Sequence, residues 1–226
     1  MSKQIGVGSK LPVWRFIVVV LGSAVTVAGR AAPAQEAIVK RMGVPAATRP
    51  CSEDEAGWWS QLKATADETT AAYFSKDEAI RKRIAERKGR TGSMEELFSP
   101  EELAEFAKLD TEIVNLRNRF QALLSEGEDK SYKAPVPDNI HPVLLYTGRP
   151  DYTEEARTKK IQGDVRLRVE FRADGTVGLV SITRGLGFGL DEEATEAMRR
   201  ILFLPAIKEG KFVVQYQTLE ASFNLR

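Results

Sequence analysis

Between Gly163 and Thr183 the sequence leaves the backbone little choice. Val165, Leu167, Val169 and Phe171 alternate with Arg166, Arg168, Glu170 and Arg172, so an extended chain puts an apolar row on one face and a charged row on the other. A helix would scatter both rows around its circumference. Asp174-Gly175 then supplies a tight reversal, because glycine accepts positive φ at no steric cost, and Thr176–Thr183 is the return strand. An antiparallel hairpin joined by a two-residue turn, dry on one face and wet on the other, is predicted, which argues against a parallel βαβ unit here.

Further along, Leu190, Ala194, Ala197, Met198 and Ile201 share one side of an amphipathic helix over Asp191–Leu202, and Pro205 stops it. Phe212–Leu225 reads as a long last strand whose alternation changes phase near Thr218, as a β-bulge or a change of burial would produce. Upstream, Ser131–Ile140 holds two prolines and no helical period, so 128–140 is expected to be a linker and 141–226 a compact unit.

Several residues of that unit stand in a recognisable order. Pro150-Asp151-Tyr152 with Ala156-Arg157, Gly163-Asp164-Val165, Phe171 before Asp174-Gly175, Leu190 with Ala194, and Phe203-Leu204-Pro205-Ala206 before Gly210 together resemble the carboxy-terminal domain of the TonB energy transducers. The resemblance covers about residues 141–226, with Tyr152 and Arg157 as its motif residues. It implies an α+β fold, a small antiparallel sheet with two helices. It also implies a binding module that adds an extended segment of an outer-membrane receptor to its sheet and passes on force for transport across that membrane. The sequence departs from the family in three places. Thr153 stands where proline often follows the tyrosine, the amino-terminal apolar run has no histidine, and no long Pro-rich spacer exists.

Residues 1–34 carry Lys3, Lys10, Arg15 and Arg30 and no acid. Lys10 and Arg15 precede the apolar run Phe16–Gly29, and Ala32-Pro33-Ala34 offers small residues at the spacing a signal peptidase reads. Fourteen residues at helical rise cover only ~21 Å of a ~30 Å hydrocarbon core, which favours a cleaved signal over an anchor. The anchored alternative uses residues 11–32 in an inner membrane. Both readings place the remainder in a periplasm, with 35–51 as a linker. Cys51 is then a lone thiol in an oxidising compartment.

The segment 52–127 reads as an antiparallel helical hairpin. Ser52 precedes three acids as an N-cap, and Trp59, Leu62, Ala66, Thr69, Tyr73, Ile80 and Ile84 follow three/four spacing up to Arg87-Lys88-Gly89. Ser99-Pro100-Glu101-Glu102 opens a second helix, in which Phe106, Leu109, Ile113, Leu116, Phe120 and Leu123 form a short heptad seam. Gly89–Ser93 allows the reversal. The competing use of the seam is self-association as a homodimer. Arg81-Lys82-Arg83 with Arg87-Lys88 reads as a solvated face, and Trp58 and Trp59 as core anchors.

Thirty-three basic against thirty-two acidic residues give a net charge of +1, too little for a nucleic-acid partner. One histidine, His141, and one cysteine leave no His/Cys metal cluster, and no cofactor or catalytic residue is assigned. Gly185-Leu186-Gly187-Phe188-Gly189 has G-x-G-x-G spacing after an antiparallel strand, which reads as a strand-to-helix loop rather than a phosphate cradle. The site expected to matter is a strand edge at Phe212, Val213, Val214, Gln215, Tyr216 and Gln217, whose unpaired backbone groups can take up a receptor peptide. A periplasmic scaffold that assembles through its helices with another protein is the alternative.

Overall fold

The computed structural model describes residues 44–87 and 97–225, together with two backbone pieces, β1 (Ile17–Val19) and β2 (Thr26–Ala28), which pair antiparallel. The rest of the segment expected to direct export, residues 35–43 and the expected turn at Gly89–Ser93 lie outside the described residues.

Two long helices follow, α1 (Glu53–Glu86) and α2 (Pro100–Asp129). Each is opened by a reciprocal capping box. The Ser52 hydroxyl accepts the Glu55 N–H while the Glu55 carboxylate accepts the Ser52 N–H, and Ser99 and Glu102 repeat the arrangement. The helices lie antiparallel, so the start of α1 meets the end of α2. There the Trp58 indole N–H donates to the Leu123 carbonyl at 2.7 Å. Phe106, Ile113, Phe120 and Leu123 of the heptad seam are buried, with Leu109 and Leu116 half-buried. Homodimerisation through this seam would need those residues on the surface.

On α1 the apolar stripe is buried from Trp58 to Thr70 and runs out at Ile84, which is 42% exposed. The basic end of α1 is not simply a solvated face. Arg83 pairs with Glu105 at 2.6 Å and Arg87 with Glu102 at 2.5 Å, and their guanidinium groups lie over Phe106 and Phe98. The antiparallel arrangement sets the acidic first turn of α2 opposite the basic last turns of α1, which draws these side chains inward.

The terminal unit contains β3 (Val143–Tyr146), α3 (Glu154–Thr158), β4 (Gly163–Phe171), β5 (Val177–Arg184), α4 (Leu190–Arg199), β6 (Leu202–Leu204), β7 (Ala206–Lys208), β8 (Lys211–Val213) and β9 (Gln215–Phe223). Its main sheet has the order β5-β4-β9, antiparallel throughout. Val165, Leu167, Val169 and Phe171 of β4 join Leu219, Ala221 and Phe223 of β9 against Ala156 of α3 and Leu190, Ala194 and Met198 of α4. The fold is α+β, a small antiparallel sheet with two helices on one face.

Three expectations change in detail. The β4–β5 connection is a three-residue loop, Ala173 to Gly175, closed by Arg172 and Thr176. Gly175 sits at φ +77, where a Cβ would also strike Leu124 of α2, so glycine is required twice over. The helix expected to reach Leu202 ends at Arg199, because Leu202 to Leu204 turn extended to pair with β3. The single last strand is two. Glu209 and Gly210, both at positive φ, make a two-residue turn that folds β8 back on β7, and β9 starts afresh after Val214. The β9–β4 register is unbroken, so no bulge lies near Thr218.

A second apolar cluster joins the hairpin to this unit. Trp58, Trp59, Leu62, Ala66, Phe120, Leu123 and Leu124 meet Leu145, Tyr146, Leu202, Leu204 and Ile207, with Val44, Ala134 and Val136 filling in. The stretch 128–140 is therefore packed, not loose. The β3–β6 ladder separates the two clusters: Leu144 and Phe203 belong to one, and Leu145, Leu202 and Leu204 to the other.

Candidate strand-docking edge

The sheet has two outer strands, and they differ. β5 is interrupted twice, between its pairings with Val169 and Phe171 and again between those with Arg166 and Leu167. At the first break the Leu179 N–H donates to the Glu170 carboxylate at 2.7 Å, and at the second the Thr183 hydroxyl donates to the Arg166 carbonyl at 3.0 Å. Bulges and side-chain bonds of this kind blunt an edge. β9 pairs residue for residue with β4 from Gln215–Phe171 to Phe223–Gly163, and β4 is its one hydrogen-bonded neighbour among the described strands. Alternate N–H and C=O groups along nine residues consequently point away from β4. The backbone of β1 runs close to β9 without joining its ladder.

Side chains along β9 divide by parity. Residues opposite Leu167 and Val165, namely Leu219 and Ala221, are buried, and Gln215 and Gln217 continue that face towards the strand's start. Tyr216, Thr218 and Glu220 occupy the other face. Tyr216 is 47% exposed, with the Arg168 guanidinium 4.9 Å from its ring centroid, while Glu220 pairs with Arg166 at 2.5 Å. An incoming strand would meet an aromatic and alternating charges on this side, and glutamines grading into apolar side chains on the other.

Of the six residues expected at the edge, the fold keeps Gln215, Tyr216 and Gln217 on it. Phe212 and Val213 pair instead with Ile207 and Ala206 in β8–β7, and Val214, half-exposed, links the two strands. The edge runs on through Thr218 to Phe223, which the sequence reading placed in the strand but not in the docking edge; the apolar parity of Leu219, Ala221 and Phe223 signals a strand with one buried face and not which backbone groups lack a neighbour. The segment at Ile140 bonds both ways to Ile207 of β7, and His141 Nδ1 lies 2.7 Å from Gln215 Nε2. This segment thus reaches the start of β9.

Tyr152 and Arg157 act from behind the sheet. Tyr152 is buried, with its hydroxyl donating to the Ile161 carbonyl and its ring edge-on to Phe223 at 5.7 Å. Arg157 donates to the Tyr152 carbonyl at 3.3 Å. Thr153, where proline was expected, caps α3 by accepting the Ala156 N–H and donates to the Phe188 carbonyl at 2.6 Å. The glycine loop is held by its own chain: the Asp191 carboxylate accepts the Leu186 and Gly187 N–H groups at 2.7 and 3.2 Å. The seat a phosphate would need at the start of α4 is filled by that carboxylate.

The hairpin braces the unit through polar contacts as well. Tyr73 stacks on Tyr146 at 4.1 Å, and the Tyr146 hydroxyl donates to Asp77 at 3.3 Å. Arg117 reaches the Tyr73 hydroxyl and the Arg200 carbonyl. Burial pushes the Asp77 carboxyl above its ordinary range, partly offset by Arg149 and Arg81 nearby.

Residues 148–225 match the family model described as Gram-negative bacterial TonB protein C-terminal. The terminal unit is thus similar to the C-terminal domain of TonB proteins over these residues. No curated protein matches the chain. No helix among the described residues is long and apolar enough to cross a membrane.

Proposed function

We propose that this chain is an exported, non-enzymatic binding protein of a Gram-negative periplasm, whose terminal domain takes up an extended segment of an outer-membrane receptor as an added strand on β9. The observation that carries the reading is the contrast between the two edges: nine residues of unbroken ladder on β9 against a doubly bulged β5. Backbone bonds would supply affinity, while the Tyr216–Arg168 and Gln215–Gln217 faces would select alternate side chains of the guest. Energy transduction follows if the amino-terminal segment remains as an anchor; if that segment is removed near Gln35, the chain is a soluble docking protein and β1 leaves the neighbourhood of β9.

Calorimetric titration with extended receptor-derived peptides tests docking. Neighbouring residues of a strand direct their N–H groups to opposite sides, so of Gln217→Pro and Thr218→Pro one breaks the β4 ladder and the other removes an outward donor. The inward variant should lower the melting temperature markedly. The outward variant should stay folded and lose peptide binding at least tenfold. Full peptide binding by two folded variants rules out β9 as the docking strand.

A further inference from the structure

The chain enters the described structure at Val44 and, after an excursion of two long helices, comes back to the place it started from. Val44 is buried, and the Pro45 carbonyl accepts the Trp59 indole N–H at 2.8 Å. Thr48 and Arg49 both donate their backbone N–H groups to the Pro135 carbonyl, at 2.7 and 3.2 Å. The Arg49 guanidinium closes on both oxygens of Asp138, at 3.2 and 2.8 Å. Glu55, besides completing the cap of α1, accepts the Lys133 N–H at 3.0 Å, and Ala134 donates to the Gly210 carbonyl of the β7–β8 turn at 2.7 Å. Residues 44–49 are thereby fastened to 133–138, the stretch that leads directly into β3.

Resting on the anchored-transducer alternative, in which the amino-terminal segment is retained and a pull arrives from that side, we infer that this clasp is a tension latch. Force entering at Val44 crosses from Thr48 and Arg49 to Pro135 and Asp138 and passes into the terminal domain, while the Pro45–Trp59 bond and the shared apolar cluster hold the base of the helical hairpin beside that path. Two backbone bonds to one carbonyl and a two-oxygen guanidinium–carboxylate fork resist displacement in directions that a single contact would not. Once the clasp and the shared apolar cluster behind it have opened, residues 50–133 stand in series with the pull and lengthen the reach of the chain. Fully drawn out, that stretch spans about 300 Å at ~3.3–3.6 Å per residue, several times the ~50 Å of one helix. The clasp would set whether the protein acts over a short distance or a long one.

An optical-trap experiment on the full chain tests this, with handles at Ala47→Cys and Asn139→Cys in a Cys51→Ser background. The expected trace has no lengthening before one rupture, then a gain of about 300 Å in contour as the hairpin is drawn out. Arg49→Ala should lower the rupture force by at least a third, and the exchanged pair Arg49→Asp with Asp138→Arg should restore it. Should Arg49→Ala disturb folding, hydrogen exchange at Thr48 and Arg49 in the unaltered chain provides a second reading, and slow exchange at both amides is expected. Gradual lengthening without a rupture step, or rupture unaffected by Arg49→Ala in a folded chain, overturns the latch. Peptide titration on the same variants is independent of it: loss of docking with an intact rupture would fall on the docking reading alone.

Discussion

The two apolar clusters of this protein are built on different terms. The one beneath the main sheet draws every fully buried member from residues between Leu144 and Phe223, and its Tyr152 hydroxyl bonds within the same unit, to the Ile161 carbonyl. The one beneath the hairpin is assembled from stretches as far apart as Val44 and Ile207, and polar groups are set into it: two indole N–H donors, the Tyr73–Tyr146 stack and the Asp77 carboxylate at its margin. A core made within one unit fixes that unit's shape. A core shared between segments fixes how they sit together, and its hydrogen bonds add direction that apolar packing lacks.

Removing Phe203 should strike hardest. Its ring packs edge-on against Phe171 at 4.6 Å, and it lies on β6, the wall between the clusters. Phe203→Ala should cost about 3–5 kcal/mol by lost burial and cavity formation. If the two clusters are coupled through β6, denaturant curves followed by tryptophan fluorescence and by far-UV circular dichroism should shift together; separate shifts would show two independent units. Gly127→Ala attacks the shared cluster alone, since a Cβ there collides with the Trp58 ring. Overpacking of this type costs about 1–3 kcal/mol, and the tryptophan emission should change while peptide affinity stays within about threefold.

Titration separates the regions next. Asp77, raised by burial, stabilises the fold most when protonated, and that contribution is lost as pH rises through its folded pKa. Glu55, lowered by the Ser52 and Lys133 N–H bonds, and Asp138, lowered by the Arg49 hydrogen bond, behave oppositely: their contribution stands above ~4 and disappears as pH falls through their folded values. Asp77→Asn should therefore flatten the decline in stability above pH ~4 and leave the acid limb intact, whereas Glu55→Gln should reduce the acid limb, both seen in melting temperature against pH. Glu220→Gln is the smallest change. It removes the pairing with a part-exposed Arg166 on the wet face of the sheet and should cost less than ~1 kcal/mol, vanishing at high salt.

The sequence by itself determined the elements whose cause is local. The alternation of Val165 to Phe171, the Ser52 and Ser99 capping signals and the Phe106–Leu123 seam each state which face is apolar or where a helix begins. Tertiary structure decided what depended on a partner distant in the chain. Leu202 read as the end of a helix, and Phe203-Leu204 as no strand, because a strand buried on both sides has no alternation to display, and only the pairing of Leu202 to Leu204 with β3 makes the stretch extended. Phe212 and Val213 left the expected edge because the Glu209-Gly210 turn gave their backbone to β7. The edge formed by Gln215 to Phe223, and the closing of residues 44–49 on 133–138, come from hydrogen-bond partners set by the fold. A backbone N–H is the same in every residue, so the order of side chains along the chain does not say which carbonyl will receive it.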